Sequence, residues 1–378
     1  MKRLLFPLTL LLILLLGACS GLEGMVHPRE ERPEISMGVF SPLTGDMSDE
    51  GQSFGRGVQL AHNQRRYLGD EPIGLVFYDT KSNSFDTANA VAHLTQTEKV
   101  QGLLSTIQIG DAMAAISAAG IPTLTAATDG KREGGDFITP LGFNNEQQAR
   151  AMAQYAERDL NLSHIAILTN EESDYSQELG YHFASALSSG VKAEVLEYHS
   201  GETLFRPEMR RLQKMGVDGV YIADRSTTAA YLVRALHEKL PYITVLGSDR
   251  MDSANFVALG GDAAENVYYS TNFHSGKLTT QEAANFVQSY RKAYGMDPNA
   301  QAALGFDSYN LLWTAMSRQE EPGPIHLQHA LGKLDQVSLV SGVYYRDPQA
   351  PQPVHIVQIQ RGIPRYRKDI VVTAHPQP

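Results

Sequence analysis

The stretch "GVFSPLTGDMSDEGQSFGRGVQLA", residues 38–61, changes its hydrophobic period from that of a strand to that of a helix, and this change decides the fold. Residues 35–40 form an apolar run of strand length, whereas Phe54, Val58 and Ala61 recur at helical spacing. Asp46 to Glu50 between them is polar, and Gly51 reads as the helix start. The alternation continues outward. Residues 73–79 are strand-like, and 86–97 are helical with Asp86 as the expected N-cap. Strands at 100–104 and 122–125 flank an Ala-rich helix, and 146–160 is a helix with one apolar face. The rhythm restarts with strands at 164–169, 192–198, 219–223 and 243–246, separated by helices at 175–187, 207–215 and 227–238. Long helices follow at 281–294 and 302–318, then an irregular Pro- and Gln-rich tail from Pro348 with a last strand at 356–359. Two blocks of strand-helix alternation predict an α/β fold with two doubly wound parallel sheets, helices covering both faces of each.

The front of the chain has its own logic. Lys2 and Arg3 precede an apolar run, 4–16, broken only by Pro7 and Thr9. That pattern is an export signal, far short of the roughly 20 residues of a spanning helix. Leu16-Gly17-Ala18-Cys19 resembles the bacterial lipobox, which makes 1–18 the signal, Cys19 the acylated first residue and 19–34 a flexible tether. The alternative is an ordinary cleaved signal with an incidental thiol. Cys19 is the only cysteine, so no disulfide framework exists and the core must supply stability. Losing Lys2 and Arg3 leaves 30 basic against 42 acidic side chains, a formal charge of −12, which argues against nucleic acid as a partner. The roughly 360 residues after the signal exceed one hydrophobic core and call for two lobes.

In open parallel sheets, ligands sit beyond the carboxyl ends of the strands. The segments there, 41–51, 80–85, 105–111, 126–130, 171–176, 224–228 and 247–252, hold small hydroxyl residues and acids, plus Tyr175 and Arg225. Asp249 is positioned either for a ligand cation or as a helix cap. Tyr175 either stacks on or bonds a ligand, or covers the end of its own sheet. Arg225 either clamps a ligand carboxylate or pairs with Asp224 or Asp249. Gly51-Gln52-Ser53-Phe54-Gly55 matches the G-x-S-x-G nucleophile elbow, but polar 46–50 cannot be the buried strand an elbow needs, so Ser53 reads as a first-turn helix residue. The 12 histidines make no H-E-x-x-H and no pair three or four apart on one helix face, so they read as isolated and exposed. No phosphate loop or dinucleotide fingerprint occurs. The expectation is no enzyme, no cofactor and no metal.

Taken together, the segments resemble the type I periplasmic solute-binding proteins of the branched-chain amino acid class. "GVFSPLTGDMSDEGQSFGRGVQLA" looks like that family's opening strand, P-L-T-G and Gly-led helix. "VFYDTKSNSFDTANAVAHL" (76–94), "GIPTLTAATDG" (120–130), "DYSQELGYHFASAL" (174–187) and "QAALGFDSYNLL" (301–312) resemble its later elements in order. The resemblance implies two lobes joined by three crossover segments. Residues 35–147 with 272–340 would form the first lobe, and 148–271 with 341–378 the second. It implies a cleft that closes on a small amino acid or a related carboxylate or amide, delivered to an ABC permease. Ser105, Thr106, Ala126, Ala127 and Thr128 would hold the carboxylate end, Tyr175 would close from the second lobe, Asp249 would bind the amine, and Arg225 a second acidic group. The chain departs from the pattern where the family's carboxylate-binding serine falls at Ile109 and its strand-ending glycine at Ser105. Arg225 stands where relatives often carry an aromatic, and Thr128 and Asp129 compete for the key threonine slot. The rival reading is an outer-membrane lipoprotein that uses the same fold as an interaction module, for example to activate peptidoglycan synthases, since Ser20 is not the aspartate that retains lipoproteins in an inner membrane.

Overall fold

The computed structural model describes residues 35–106, 109–127, 137–347 and 350–372; the signal, the tether with Cys19, and Thr128 with Asp129 fall outside them. The chain opens with strand β1 (Ile35–Ser41), helix α1 (Ser48–Gln64), β2 (Tyr67–Leu68), β3 (Glu71–Asp79) and α2 (Ser84–Ala92), which runs into a π-helical turn at His93–Thr97. β4 (Gly102–Ser105), α3 (Met113–Ala119), β5 (Thr123–Thr125) and β6 (Ile138–Pro140) complete a six-stranded sheet in the order β2-β3-β1-β4-β5-β6. Its pairs are parallel except β2 with β3. Every residue of β1 is buried, as befits an apolar central strand covered on both faces.

α4 (Asn145–Arg158) starts with a capping box in which Asn144 and Gln147 satisfy each other's backbone N–H groups. Then come β7 (His164–Asn170), α5 (Asp174–Ala186), β8 (Lys192–Tyr198), α6 (Arg206–Met215), β9 (Gly219–Ala223), α7 (Ser226–Lys239), β10 (Thr244–Gly247), α8 (Ala254–Gly260) and β11 (Tyr268–Thr271). After β11 the chain returns to the first sheet with α9 (Gln281–Tyr294), α10 (Ala300–Met316), α11 (Pro324–Gly332) and a hairpin of β12 (Gln336–Ser338) with β13 (Val343–Tyr345). It closes on β14 (Gln352–Gln360) and β15 (Ile363–Val372), antiparallel additions to a seven-stranded sheet ordered β15-β14-β11-β10-β9-β7-β8.

Each sheet has its own cores. Met37, Val39, Phe54 and Leu104 pack with Leu304, Leu312 and Leu327 of α10 and α11 in the first lobe. Ala166, Leu168, Val220 and Ile222 pack with Leu232, Phe256 and Val357 in the second. The chain thus crosses between lobes three times. Two crossings meet where Phe143 N–H donates to Asn272 Oδ1 (3.0 Å), beside Gly142 at a positive φ of 81°. A Cβ on Gly142 would stand 2.4 Å from the same Asn272 oxygen. The hairpin belongs with the first lobe, since Leu339 and Tyr344 lie in its core, so the expected lobe division after residue 340 falls between two paired strands.

Local differences from the sequence reading have local causes. Asn83, not Asp86, caps α2: its side chain accepts from Asp86 N (2.8 Å), leaving Asp86 in the first turn. α1 begins at Ser48 rather than Gly51. The strand expected at 356–359 extends to nine residues, and the rest of the tail, expected to be irregular, adds a second strand of ten residues. The histidines are not all isolated and exposed: His355 is buried against Asp369 (2.6 Å), and His326 and His329 lie three apart on α11.

Candidate functional site

The site is built at the carboxyl ends of the parallel strands. In the first lobe, Ser105 ends β4 and Thr106 follows it, both fully buried. Thr106 Oγ1 donates to Gln301 Oε1 (2.5 Å) at the start of α10. Ala126 and Ala127 follow β5 and are buried, with their amides already engaged: Ala126 N donates to Ser105 O (3.0 Å) and Ala127 N to Thr125 Oγ1 (3.0 Å). Ser105 Oγ has no hydrogen-bond partner among the described residues. Ile109 is buried in the cluster around Phe40 and Leu103, an apolar packing residue at the serine's expected position.

In the second lobe, Tyr175 and Asp249 come together. Tyr175, in the first turn of α5, is buried, and its hydroxyl donates to Asp249 Oδ1 (2.7 Å) and lies 3.0 Å from Ser248 Oγ. Burial and the adjacent Asp249 carboxylate hold its phenol well above the usual range, so it stays a proton donor. Asp249 follows β10 in a short turn, and its own N–H donates to Gln148 Oε1 of α4 (3.1 Å), which fixes its backbone. Asp224, after β9, is buried and accepts from Tyr198 OH (2.5 Å) and Arg225 N (2.6 Å); burial raises its carboxyl, against those two donors. Arg225 occupies the N-cap position of α7 with its side chain exposed, and its charge acts on the neighbouring Asp224 carboxyl, pulling it down.

The cation inside the cleft is Arg250, the next residue after Asp249. It is buried, and its guanidinium stacks over the Tyr175 ring at 4.9 Å from the centroid. Opposite it stands Glu50 of α1, also buried, whose Oε1 accepts from Ser226 Oγ of α7 (3.3 Å). Burial raises the Glu50 carboxyl, and the Arg250 charge pulls the other way. Asp49 beside it accepts from Ser253 Oγ (2.5 Å) and Asn255 N (3.2 Å) at the start of α8. From the second lobe, Asp252 Oδ2 accepts from Ala300 N (2.8 Å) at the start of α10. The lobes therefore meet through reciprocal helix caps. Sequence reasoning missed Glu50, Asp49 and Arg250. Their one available signal was position, since both segments follow strands.

Ser53 sits inside α1, not on a strand-to-helix turn, and its hydroxyl accepts from Arg56 Nη2 (3.1 Å) and Asn299 Nδ2 (3.4 Å). Nothing in that geometry activates it as a nucleophile. Glu171, Glu172 and His199 converge at the edge of the second sheet, where all three are exposed and His199 pairs with the glutamates.

Two parallel-sheet lobes carrying carboxylates, hydroxyls and a tyrosine near their strand tips define a bilobal α/β protein. The chain belongs to the periplasmic binding protein family, whose model matches residues 34–363. Members are solute-binding proteins rather than enzymes, and membership implies an exported chain. Among the described residues no helix is long and apolar enough to cross a membrane. The chain is 24% identical over 263 residues to the Leu/Ile/Val-binding protein BraC3 of Rhizobium johnstonii, covering 66% of this chain and 71% of that protein. Among solved structures it resembles the leucine-binding protein LivK of Thermotoga maritima, with a TM-score of 0.83 at 25% identity over 89% of this chain and 98% of that one. It also shares its fold with LivJ of Streptococcus pneumoniae, solved with isoleucine, with a TM-score of 0.83 at 22% identity over 90% and 99% of the two chains.

Proposed function

We propose that this protein captures a small amino acid, or a related carboxylate or amide, between its lobes and hands it to an ABC permease while Cys19 anchors it to a membrane by acylation. The observation that carries the reading is the Tyr175–Asp249 pair, a buried carboxylate held by one hydroxyl at the tip of a parallel strand. A carboxylate so placed has acceptor capacity left for a ligand ammonium. Ser105, whose hydroxyl has no partner among the described residues, and Thr128 take the carboxylate end, and closure follows because a solute touching both lobes favours the state in which they meet. The names of BraC3 and LivK support an amino acid as the class of solute. Asp249→Ala is expected to weaken an amine-bearing ligand about tenfold or more, because it removes a charge-assisted bond in a desolvated crevice. Isothermal calorimetry after a thermal-shift screen of amino acids, amides and small carboxylates measures this; unchanged affinity removes Asp249 from the site.

A second reading draws support from the lobes' direct bonds. Asp49 with Ser253 and Asn255, and Glu50 with Ser226, join them through the protein's own side chains. A permanently closed pair would suit an outer-membrane interaction module. Membrane fractionation separates the readings: residence in the outer membrane, away from any permease, favours the module.

A further inference from the structure

Among the described residues, one oxygen of a buried carboxylate, Glu50 Oε2, lacks a hydrogen-bond partner. Glu50 is 4% exposed and lies in the first turn of α1, the helix that follows β1. Buried acceptors and hydroxyls without partners are rare in folded proteins, and each costs free energy until something satisfies it. Glu50 reaches across to Ser226, and Arg250 beside it lies on the ring of Tyr175, whose hydroxyl binds Asp249. The unsatisfied oxygen thus belongs to the same buried group as the Asp249 carboxylate.

Charge narrows what can satisfy it. Glu50 and Arg250 offset one another. A ligand side chain carrying a second ammonium would be brought against Arg250, and one carrying a second carboxylate against Glu50; either places like charges together in a low dielectric. An aliphatic side chain adds no charge but leaves the oxygen unpaired. An uncharged hydrogen-bond donor meets every requirement. We propose that Glu50, with Arg250 balancing the charge, makes this cleft selective for a zwitterionic amino acid whose side chain ends in a carboxamide or hydroxyl, in preference to leucine, isoleucine or valine. This rests on the amino-acid reading of the site and deepens it. A site built to hydrogen-bond a ligand rejects the analogue that lacks the group far more strongly than an apolar pocket rejects an extra methylene.

Calorimetry on the intact protein with glutamine, asparagine, serine, threonine, leucine, valine, lysine and glutamate tests it. The expected order has a carboxamide or hydroxyl amino acid at least about tenfold tighter than leucine and valine, with lysine and glutamate weaker still. Replacing the pair as a unit, Glu50→Leu/Arg250→Met, avoids leaving one buried charge alone and should turn the preference toward leucine. If the double variant fails to fold by circular dichroism, the wild-type order of affinities decides. Leucine, valine, lysine or glutamate binding tightest to the wild type overturns the inference but leaves the amino-acid reading intact. No binding by any amino acid, amide or carboxylate overturns that reading, and the inference with it.

Discussion

Asp307 of α10 is fully buried, yet accepts three hydrogen bonds from the turn between β12 and β13: Val340 N (2.9 Å), Ser341 N (2.9 Å) and Ser341 Oγ (2.6 Å). Burial outweighs those donors and pushes its carboxyl from 3.8 up to about 6. The folded chain then holds this proton more tightly than the unfolded chain. The contribution to stability is full below the unfolded value, falls as pH rises from 3.8 to about 6, and stays low above that. Asp307→Asn cannot titrate. The stability of wild type relative to this variant should therefore fall by about 2–3 kcal/mol between pH 4 and pH 7. Denaturant unfolding at several pH values measures it, and a pH-independent difference would mean that the carboxyl ionises normally in the fold. The same balance of burial and charge explains which site residues were legible in the sequence. Tyr175 and Asp249 stood out because they follow strands and bear chemistry that a ligand needs. Glu50 and Arg250 did not stand out, because the partners that bury them, Ser226 and each other, lie some 176 to 200 positions along the chain. No local pattern encodes that.

Between elements, the packing of α1 on α10 sets the first lobe. Gly57 and Gly305 face the opposing helix so closely that an added Cβ would lie 1.9 Å from Ala302 O and 2.2 Å from Phe54 O respectively. Helix propensity alone would make Gly305→Ala stabilising by about 0.5–1 kcal/mol. The contact reverses the sign, and a loss of about 1–3 kcal/mol is expected from the forced separation of two backbones. Gly332, at the end of α11, has open space where its Cβ would stand, so Gly332→Ala should be neutral or mildly stabilising. Thermal melts of the two variants compare these signs, and a stabilised Gly305→Ala protein would mean the helices are not so tightly apposed. Elements of this kind were read well where the period was clean: β7, β8, β9 and α9 match their expected positions closely. β6 and β11 were missed because three or four residues carry no period. β14 was expected only in part, over 356–359, and β15 was missed. Alternating charges such as Arg365, Arg367 and Lys368 look like loop chemistry, but β15 is an edge strand, where proline, lysine and arginine protect an open ladder.

For the whole molecule, the question is what free energy separates the lobes from their closed arrangement. Two crossover segments bond side by side at Phe143 and Asn272, and Asp49 accepts from Ser253 and Asn255 at the start of α8 in the other lobe, beside that helix's own Ser253 cap. A bond made only in the closed state stabilises that state with or without a solute, and so it raises affinity for every ligand by one common factor. This separates Asp49 from Glu50, whose free oxygen distinguishes one ligand from another. Asp49→Ala removes two hydrogen bonds to a carboxylate, together about 1.5–3 kcal/mol. Where the ligand-free protein is mainly open, every dissociation constant should rise about tenfold to a hundredfold, with the ratio between any two ligands unchanged. Where it is mainly closed, the first effect is instead an opened ligand-free form, visible as a lengthened interlobe distance by fluorescence energy transfer or a larger radius of gyration in solution scattering. Calorimetry with two ligands and scattering without any thus read the same free energy from two sides. If Asp49→Ala left both the affinities and the ligand-free shape as they were, the Asp49 bonds across the lobes would carry no weight in closure, and the solute alone would have to draw the lobes together.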